Sequence, residues 1–207
     1  MAHDRVAGVL LAAGTSSRMG QNKLFLTLEG STVLARAVRT AAAAGLDPIL
    51  VVLGHESEQA LRELAGLAST PVFNPDYARG IEASLRAGIA AVPEDAAAAV
   101  VLLADMPLVT AGMIQELVER GRHVPRPLVV SRYDDVVAPP ILYGRWLFPE
   151  LRALDGDGCG KRVVRRHREQ AIEVAWPASA LFDLDVPADL ERARAGLAGA
   201  KEPDRAG

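Results

Sequence analysis

Short apolar runs rich in β-branched residues recur along the chain at 6–11, 49–53, 72–73, 100–103 and 128–130, each separated from the next by a segment of helical character. Alternation of this kind predicts an α/β sandwich with a mostly parallel sheet. The helical segments carry start and stop signals. Ser31 and Thr32 can cap a helix through Leu34, Ala35, Val38 and Ala42 that stops at Gly45, and Thr110 can cap another through Ile114, Leu117 and Val118 that stops near Gly121. After Val130 the rhythm changes. Asp134, Asp135, Pro139 and Pro140 are expected to break the chain between short strands, and a Gly/Asp-rich loop follows at 155–160. A last helix at 188–197 precedes a polar tail, 198–207, expected to be loose.

Size and composition narrow the class without naming it. The 207 residues suit one well-buried core, so 1–197 is expected to form a single domain. Half of the residues are hydrophobic, 24% are charged and the net charge is −3, which gives no electrostatic reason to expect a nucleic-acid partner. The one dense basic run, Arg165-Arg166-His167-Arg168, reads as a solvated helix face that can also help hold an anionic substrate. The longest apolar stretches, 6–13 and 96–104, fall far short of the roughly 18 residues a membrane-spanning helix needs. One cysteine, Cys159, makes no internal disulfide, and the first residues lack the regions of a secretory signal, so a cytoplasmic location is expected.

The most informative stretch is Leu11-Ala12-Ala13-Gly14-Thr15-Ser16-Ser17-Arg18-Met19-Gly20-Gln21-Asn22-Lys23, directly after the first strand. Ligands bind at the loop leaving a strand's C-terminal end at a topological switch point. Small residues there let backbone N–H groups approach phosphate oxygens, and Arg18 and Lys23 supply positive charge. The spacing fits neither a Walker loop nor the glycine fingerprint of dinucleotide folds. Leu-Ala-Ala-Gly-x-Ser-x-Arg-Met-Gly-x-x-Lys resembles the signature of the molybdenum cofactor nucleotidyltransferases, within the wider nucleoside-triphosphate transferase superfamily. The resemblance implies that the backbone of Leu11, Ala12, Ala13 and Gly14, with Ser16, contacts the nucleotide, that Arg18 grips the β- and γ-phosphates, and that Lys23 neutralises the α-phosphate under attack.

The fourth apolar run ends in Leu103-Ala104-Asp105-Met106-Pro107, placing an acid at the end of a central strand on the same edge as the glycine loop. Phosphoryl chemistry needs a divalent cation, and magnesium takes one or two carboxylates plus waters. Asp105 is the first candidate ligand; the alternative is a helix cap, a job for which Thr110 is better placed. The segment Phe182-Asp183-Leu184-Asp185-Val186-Pro187-Ala188-Asp189-Leu190 resembles the family's Asp-x-Asp-Thr-Pro-x-Asp-Leu, which implies that Asp185 completes the Mg²⁺ site, with valine where the family often has threonine. Asp183 and Asp189 read as structural acids at a helix start, and a pure capping role for all three is the alternative.

On the acceptor side, the segment from Asn74 to Leu85 resembles the family's Asn…Gly-x-x-x-Ser-Leu and makes Asn74, Gly80 and Ser84 candidate nucleotide contacts; from the residues alone it is equally a capped surface helix. Residues 138–142 carry alanine where the family usually has glycine before a proline. Residues 148–151 and 156–161 resemble the family's Leu-x-Gly-Asp-x-Gly loop. Asp155 and Asp157 open like a calcium loop, but its twelfth position is Arg166, which excludes that reading. Nothing in the sequence activates Cys159 as a nucleophile.

The resemblance covers the chain to about Leu197 and implies a three-layer α/β/α sandwich with a mixed, mostly parallel sheet. It implies an enzyme that transfers CMP from CTP to the terminal phosphate of a molybdopterin-type acceptor, with pyrophosphate leaving and no covalent intermediate. Within the family Leu-Ala-Ala-Gly accompanies CTP and Leu-Ala-Gly-Gly accompanies GTP, so Ala13 points to cytidine. Rival readings are a guanylyl- or sugar-nucleotidyltransferase, a protein that binds the cofactor and delivers it to a molybdenum hydroxylase client, and, ranked last, an NAD(P)H-dependent reductase.

Overall fold

The computed structural model describes residues 5–14, 22–155, 158–184 and 188–199. In chain order it contains strand β1 (Val6–Ala12), the small pair β2 (Thr27–Leu28) and β3 (Ser31–Thr32), helix α1 (Val33–Ala43), β4 (Ile49–Leu53), α2 (Ser57–Leu64), β5 (Thr70–Phe73), α3 (Ile81–Ala90), β6 (Ala98–Leu103), α4 (Ala111–Arg122), β7 (Leu128–Tyr133), β8 (Val136–Gly144), α5 (Phe148–Arg152), α6 (Lys161–Arg166), β9 (Ile172–Trp176) and α7 (Ala188–Gly199). Seven strands form one sheet in the order β5-β4-β1-β6-β8-β7-β9. Six run the same way; β8 is antiparallel to both its neighbours, β6 and β7.

The central strands are apolar at every position because both faces of the sheet are covered. Alternate side chains of β1 enter different cores. Leu10 and Ala12 pack with residues of α1, α2, α4 and α7, whereas Val9 and Leu11 pack with Leu85 and Ile89 of α3, Phe148 and Leu151 of α5 and Val163 of α6. Helices on both faces make a three-layer α/β/α sandwich. Among the described residues no helix is long and apolar enough to cross a membrane.

The expected caps form: Thr32 Oγ1 accepts from the Ala35 N–H at 3.3 Å, and Thr110 Oγ1 from the Met113 N–H at 3.2 Å. Gly45, at φ 82°, ends the turn after α1, as glycine at that position does. Helix α4 ends at Arg122, next to Gly121 as expected; a Cβ on Gly121 would sit 3.2 Å from Leu142 Cδ2, so it is also a packing glycine. One expectation is corrected. Pro139 and Pro140 do not break the chain, because they sit in the middle of β8. The β7–β8 ladder passes from the pair Val130–Ile141 to the pair Ser131–Ala138, so the irregularity takes up the two residues that have no N–H to donate. Their carbonyls are satisfied by side chains: Ser131 Oγ donates to Pro140 O at 2.7 Å and Tyr133 Oη to Pro139 O at 3.0 Å.

From β1 the chain moves outward to β4 and β5, then crosses back to β6 on the other side of β1. This is a topological switch point, and the carboxyl ends of β1 and β6 flank it: Leu11 pairs with Leu103, and the Ala104 N–H donates to Leu11 O at 3.1 Å.

Candidate active site

A cleft of about 110 Å³ opens at this switch point, lined by Leu11, Ala13, Lys23, Ser84 and Asp105 among others. Ala13 leaves the end of β1 buried, with its methyl directed at Gly54 after β4. A Cβ on Gly54 would lie 3.0 Å from the Ala13 methyl and 2.4 Å from Tyr77 Cβ. Glycine at 54 therefore lets the β1 and β4 loops close on each other, a requirement that sequence reading did not single out. Gly14 is exposed beyond Ala13.

Lys23 opens a single 3-10 turn, Lys23–Phe25, whose shape depends on Asn22. Asn22 is buried; its Oδ1 accepts from the Leu24 N–H at 3.1 Å and its Nδ2 donates to Glu56 Oε2 at 2.8 Å. An asparagine just before a short apolar turn is a capping signal, so this positioning residue was readable in principle. The turn directs Lys23 toward the end of β6, where its Nζ lies 2.5 Å from Asp105 Oδ2. Both side chains are partly shielded, with relative exposures of 16% for Lys23 and 21% for Asp105. The Asp105 backbone also anchors the acidic segment that precedes α7, since the Leu184 N–H donates to Asp105 O at 3.2 Å.

Asn74 and Ser84 are brought together: Asn74 Nδ2 donates to Ser84 Oγ at 3.0 Å, and Asn74 Oδ1 accepts from the Asp76 N–H at 3.0 Å. Asn74 thus lies behind Ser84, which reaches the cleft itself. Gly80 turns the chain into α3 with φ 102°. Ala12 is buried on the opposite face of β1 from Leu11. Ser16, Arg18 and Asp185 lie outside the described residues. Asp183 is exposed, whereas Asp189 is buried in the first turn of α7, where a carboxylate suits the helix dipole. Among the described residues no group of three His, Cys, Asp or Glu side chains converges on one point.

Cys159 is a buried part of the core under α3. Burial pushes its thiol up to about 12, so it is protonated and unreactive at neutral pH. Sequence reading also missed a carboxylate beside it. Glu82, in the first turn of α3, is completely buried and accepts from Arg162 Nη2 at 2.9 Å through Oε2.

A family model described as the MobA-like NTP transferase domain matches residues 8–171. The purine catabolism protein PucB of Bacillus subtilis (strain 168) is 31% identical over 202 residues, spanning 92% of this chain and 96% of PucB. A probable molybdenum cofactor guanylyltransferase of Opitutus terrae is 35% identical over 112 residues, 54% of each chain. Among solved structures, Rv0371c of Mycobacterium tuberculosis H37Rv has a TM-score of 0.81 at 29% identity, with 92% of this chain and 98% of that one covered. A manganese complex of Rv0371c matches with a TM-score of 0.74. Family match, full-length relative and sheet topology agree: the chain belongs to the family of MobA-like NTP transferase domains and is an enzyme of the nucleotidyltransferase class.

Proposed function

We propose that this nucleotidyltransferase transfers CMP from CTP to the terminal phosphate of a molybdopterin-type cofactor, with Mg²⁺ held by Asp105 and Asp185, and that residues 1–197 work as one domain. The observation that carries the reading is the Lys23–Asp105 pair in a cleft at the switch point. An ammonium 2.5 Å from a partly exposed carboxylate marks a place where a cation is favourable. A hard carboxylate oxygen facing a cleft suits Mg²⁺, which leaves its remaining positions to water and substrate phosphates. When bound, the cation supplies charge neutralisation across the phosphate oxygens.

The residues have separable tasks. Leu11, Ala12, Ala13 and Gly14, with Ser16, shape the nucleotide side, and Ser84, oriented by Asn74 beyond the turn at Gly80, closes the opposite wall. Arg18 holds the β- and γ-phosphates. Lys23, released from Asp105, meets the α-phosphate. The acceptor phosphate oxygen attacks the α-phosphorus in line, a new P–O bond forms as the bond to the β-phosphate oxygen breaks, and pyrophosphate departs with that electron pair. Catalysis rests on positioning and electrostatics.

The Leu-Ala-Ala-Gly resemblance supports cytidine through Ala13, a residue that lines the cleft. The second reading, GTP as donor, is favoured by the Opitutus terrae relative, named a molybdenum cofactor guanylyltransferase. PucB's name assigns that relative to purine catabolism; oxidation of a purine ring is work for a molybdenum hydroxylase, which we infer as the client. Pyrophosphate release is the test, with Mg²⁺ and each of CTP, GTP, ATP and UTP, with and without molybdopterin. Release confined to CTP plus pterin is expected. Release with GTP alone replaces the base assignment, and pterin binding without release from any nucleotide replaces catalysis with delivery.

A further inference from the structure

The first cleft is built from residues of the first half of the chain, and the second half builds another. It measures about 530 Å³ and lies between the start of β8, strand β9 and helix α6. Small-molecule sites span roughly 300–1,000 Å³, so this concavity on the exposed basic face of α6 is of ligand size. Four cations line it, Lys161, Arg162, Arg165 and Arg168, against the acids Asp135 and Glu173. Glu173 is already matched by Arg132 from outside the cleft, at 3.0 Å. The cleft is therefore locally cationic in a chain whose net charge is −3.

One element joins the two clefts. In the first turn of α3, Ile81 and Ser84 line the nucleotide side. Glu82, on the other side of the same turn, bonds Arg162 and abuts Gly158, and both of these residues line the second cleft. Among the described residues Glu82 Oε1 has no hydrogen-bond partner, and the completely buried carboxyl group pairs with Arg162 through Oε2 at 2.9 Å. Such a carboxylate fixes the guanidinium at the cleft wall.

We propose that this second cleft binds the acceptor through its anionic groups, with Lys161 and Arg165 meeting phosphate oxygens and Arg162 held in place by Glu82. The class of acceptor is a phosphate ester on a body of about this cleft's size. The assignment of this ligand as the acceptor rests on the transfer reaction proposed above; the anion site itself does not.

The test uses Lys161→Ala/Arg165→Ala in the full chain, leaving Arg162 intact because its removal strands a buried charge. Inorganic phosphate is titrated into protein saturated with a non-hydrolysable analogue of whichever nucleotide supports turnover or binds, which blocks the first cleft. The variant is expected to bind phosphate about tenfold or more weakly, as fits the loss of charge-assisted hydrogen bonds. Its KM for the acceptor rises by a similar factor while KM for the nucleotide stays within twofold. Equal phosphate binding by variant and wild type, or none by wild type, overturns the proposal. If no pterin supports pyrophosphate release, yet phosphate binding still falls in the variant, the acceptor reading fails and the anion site stands.

Discussion

At the scale of single residues, Lys23 Nζ sits 2.5 Å from Asp105 Oδ2, so under the proposed function the ammonium competes with the divalent cation for that carboxylate. Lys23→Met keeps the length of the side chain and removes its charge. Divalent-metal affinity of the nucleotide-free protein is expected to rise, and turnover to fall by about 10²–10³-fold, the cost of losing one preorganised charge at a transferring phosphoryl group. Mn²⁺ titration and pyrophosphate release check the two halves; unchanged metal affinity would remove Asp105 as the cation site. Glu82 and Arg162 make a second asymmetric pair. Glu82 is completely buried whereas the Arg162 side chain is 46% exposed. Arg162→Ala therefore leaves a charge in the core and is expected to cost about 2–3 kcal/mol in urea unfolding, below the full value for a buried pair because Arg162 is partly hydrated. Glu82→Gln leaves a solvated arginine and costs less.

At the scale of elements, β8 depends on side chains to satisfy a strand that contains two prolines. Ser131 is fully buried; its Oγ donates to Pro140 O and accepts from Trp176 Nε1 at 3.0 Å, tying β7 to both β8 and β9. Ser131→Ala strands an acceptor and a donor together, so a loss of about 2–3 kcal/mol in urea unfolding is expected; a loss under 0.5 kcal/mol would show that water replaces the hydroxyl. This strand marks the limit of what the sequence discloses. Continuous apolar runs revealed β1, β4 and β6, and Thr32 and Thr110 revealed their helices, because those signals are local. Proline argues locally against a strand, and only the ladder irregularity beside Val130 and the hydroxyls of Ser131 and Tyr133 reverse that. Helix α2 follows Glu56, which adopts a left-handed conformation and makes no side-chain cap, so no start signal exists to be read. In the site, Lys23 and Asp105 were legible as a glycine-loop cation and a strand-end acid. The Glu82–Arg162 pair spans 80 positions of sequence, and neither member stands in a motif of its own.

At the scale of the whole molecule, the core holds acids that must stay neutral. Burial raises the Tyr133 and Tyr143 hydroxyls above the ordinary tyrosine range and pushes the Cys159 thiol up to about 12. A folded-state value raised above the unfolded one means that the folded chain keeps its proton when the unfolded chain has lost it. The associated stability is complete below the unfolded value, near 8.5 for a cysteine, and drains away as pH rises toward the folded value. For Cys159 the loss between pH 7 and pH 10 is about 2 kcal/mol, with the tyrosines contributing mainly above that range. The charges around the thiol do not cancel the effect, since Lys161 favours the thiolate while Asp105 and Glu82 oppose it, and burial outweighs all three. Urea unfolding of wild type and Cys159→Ala from pH 7 to pH 10 isolates the term, because a cavity left by the sulfur shifts stability equally at every pH. The wild type should lose about 2 kcal/mol more than the variant across the interval. Parallel profiles would mean that the loop carrying Cys159 opens to water, and with it the wall that the first turn of α3 shares between the two clefts.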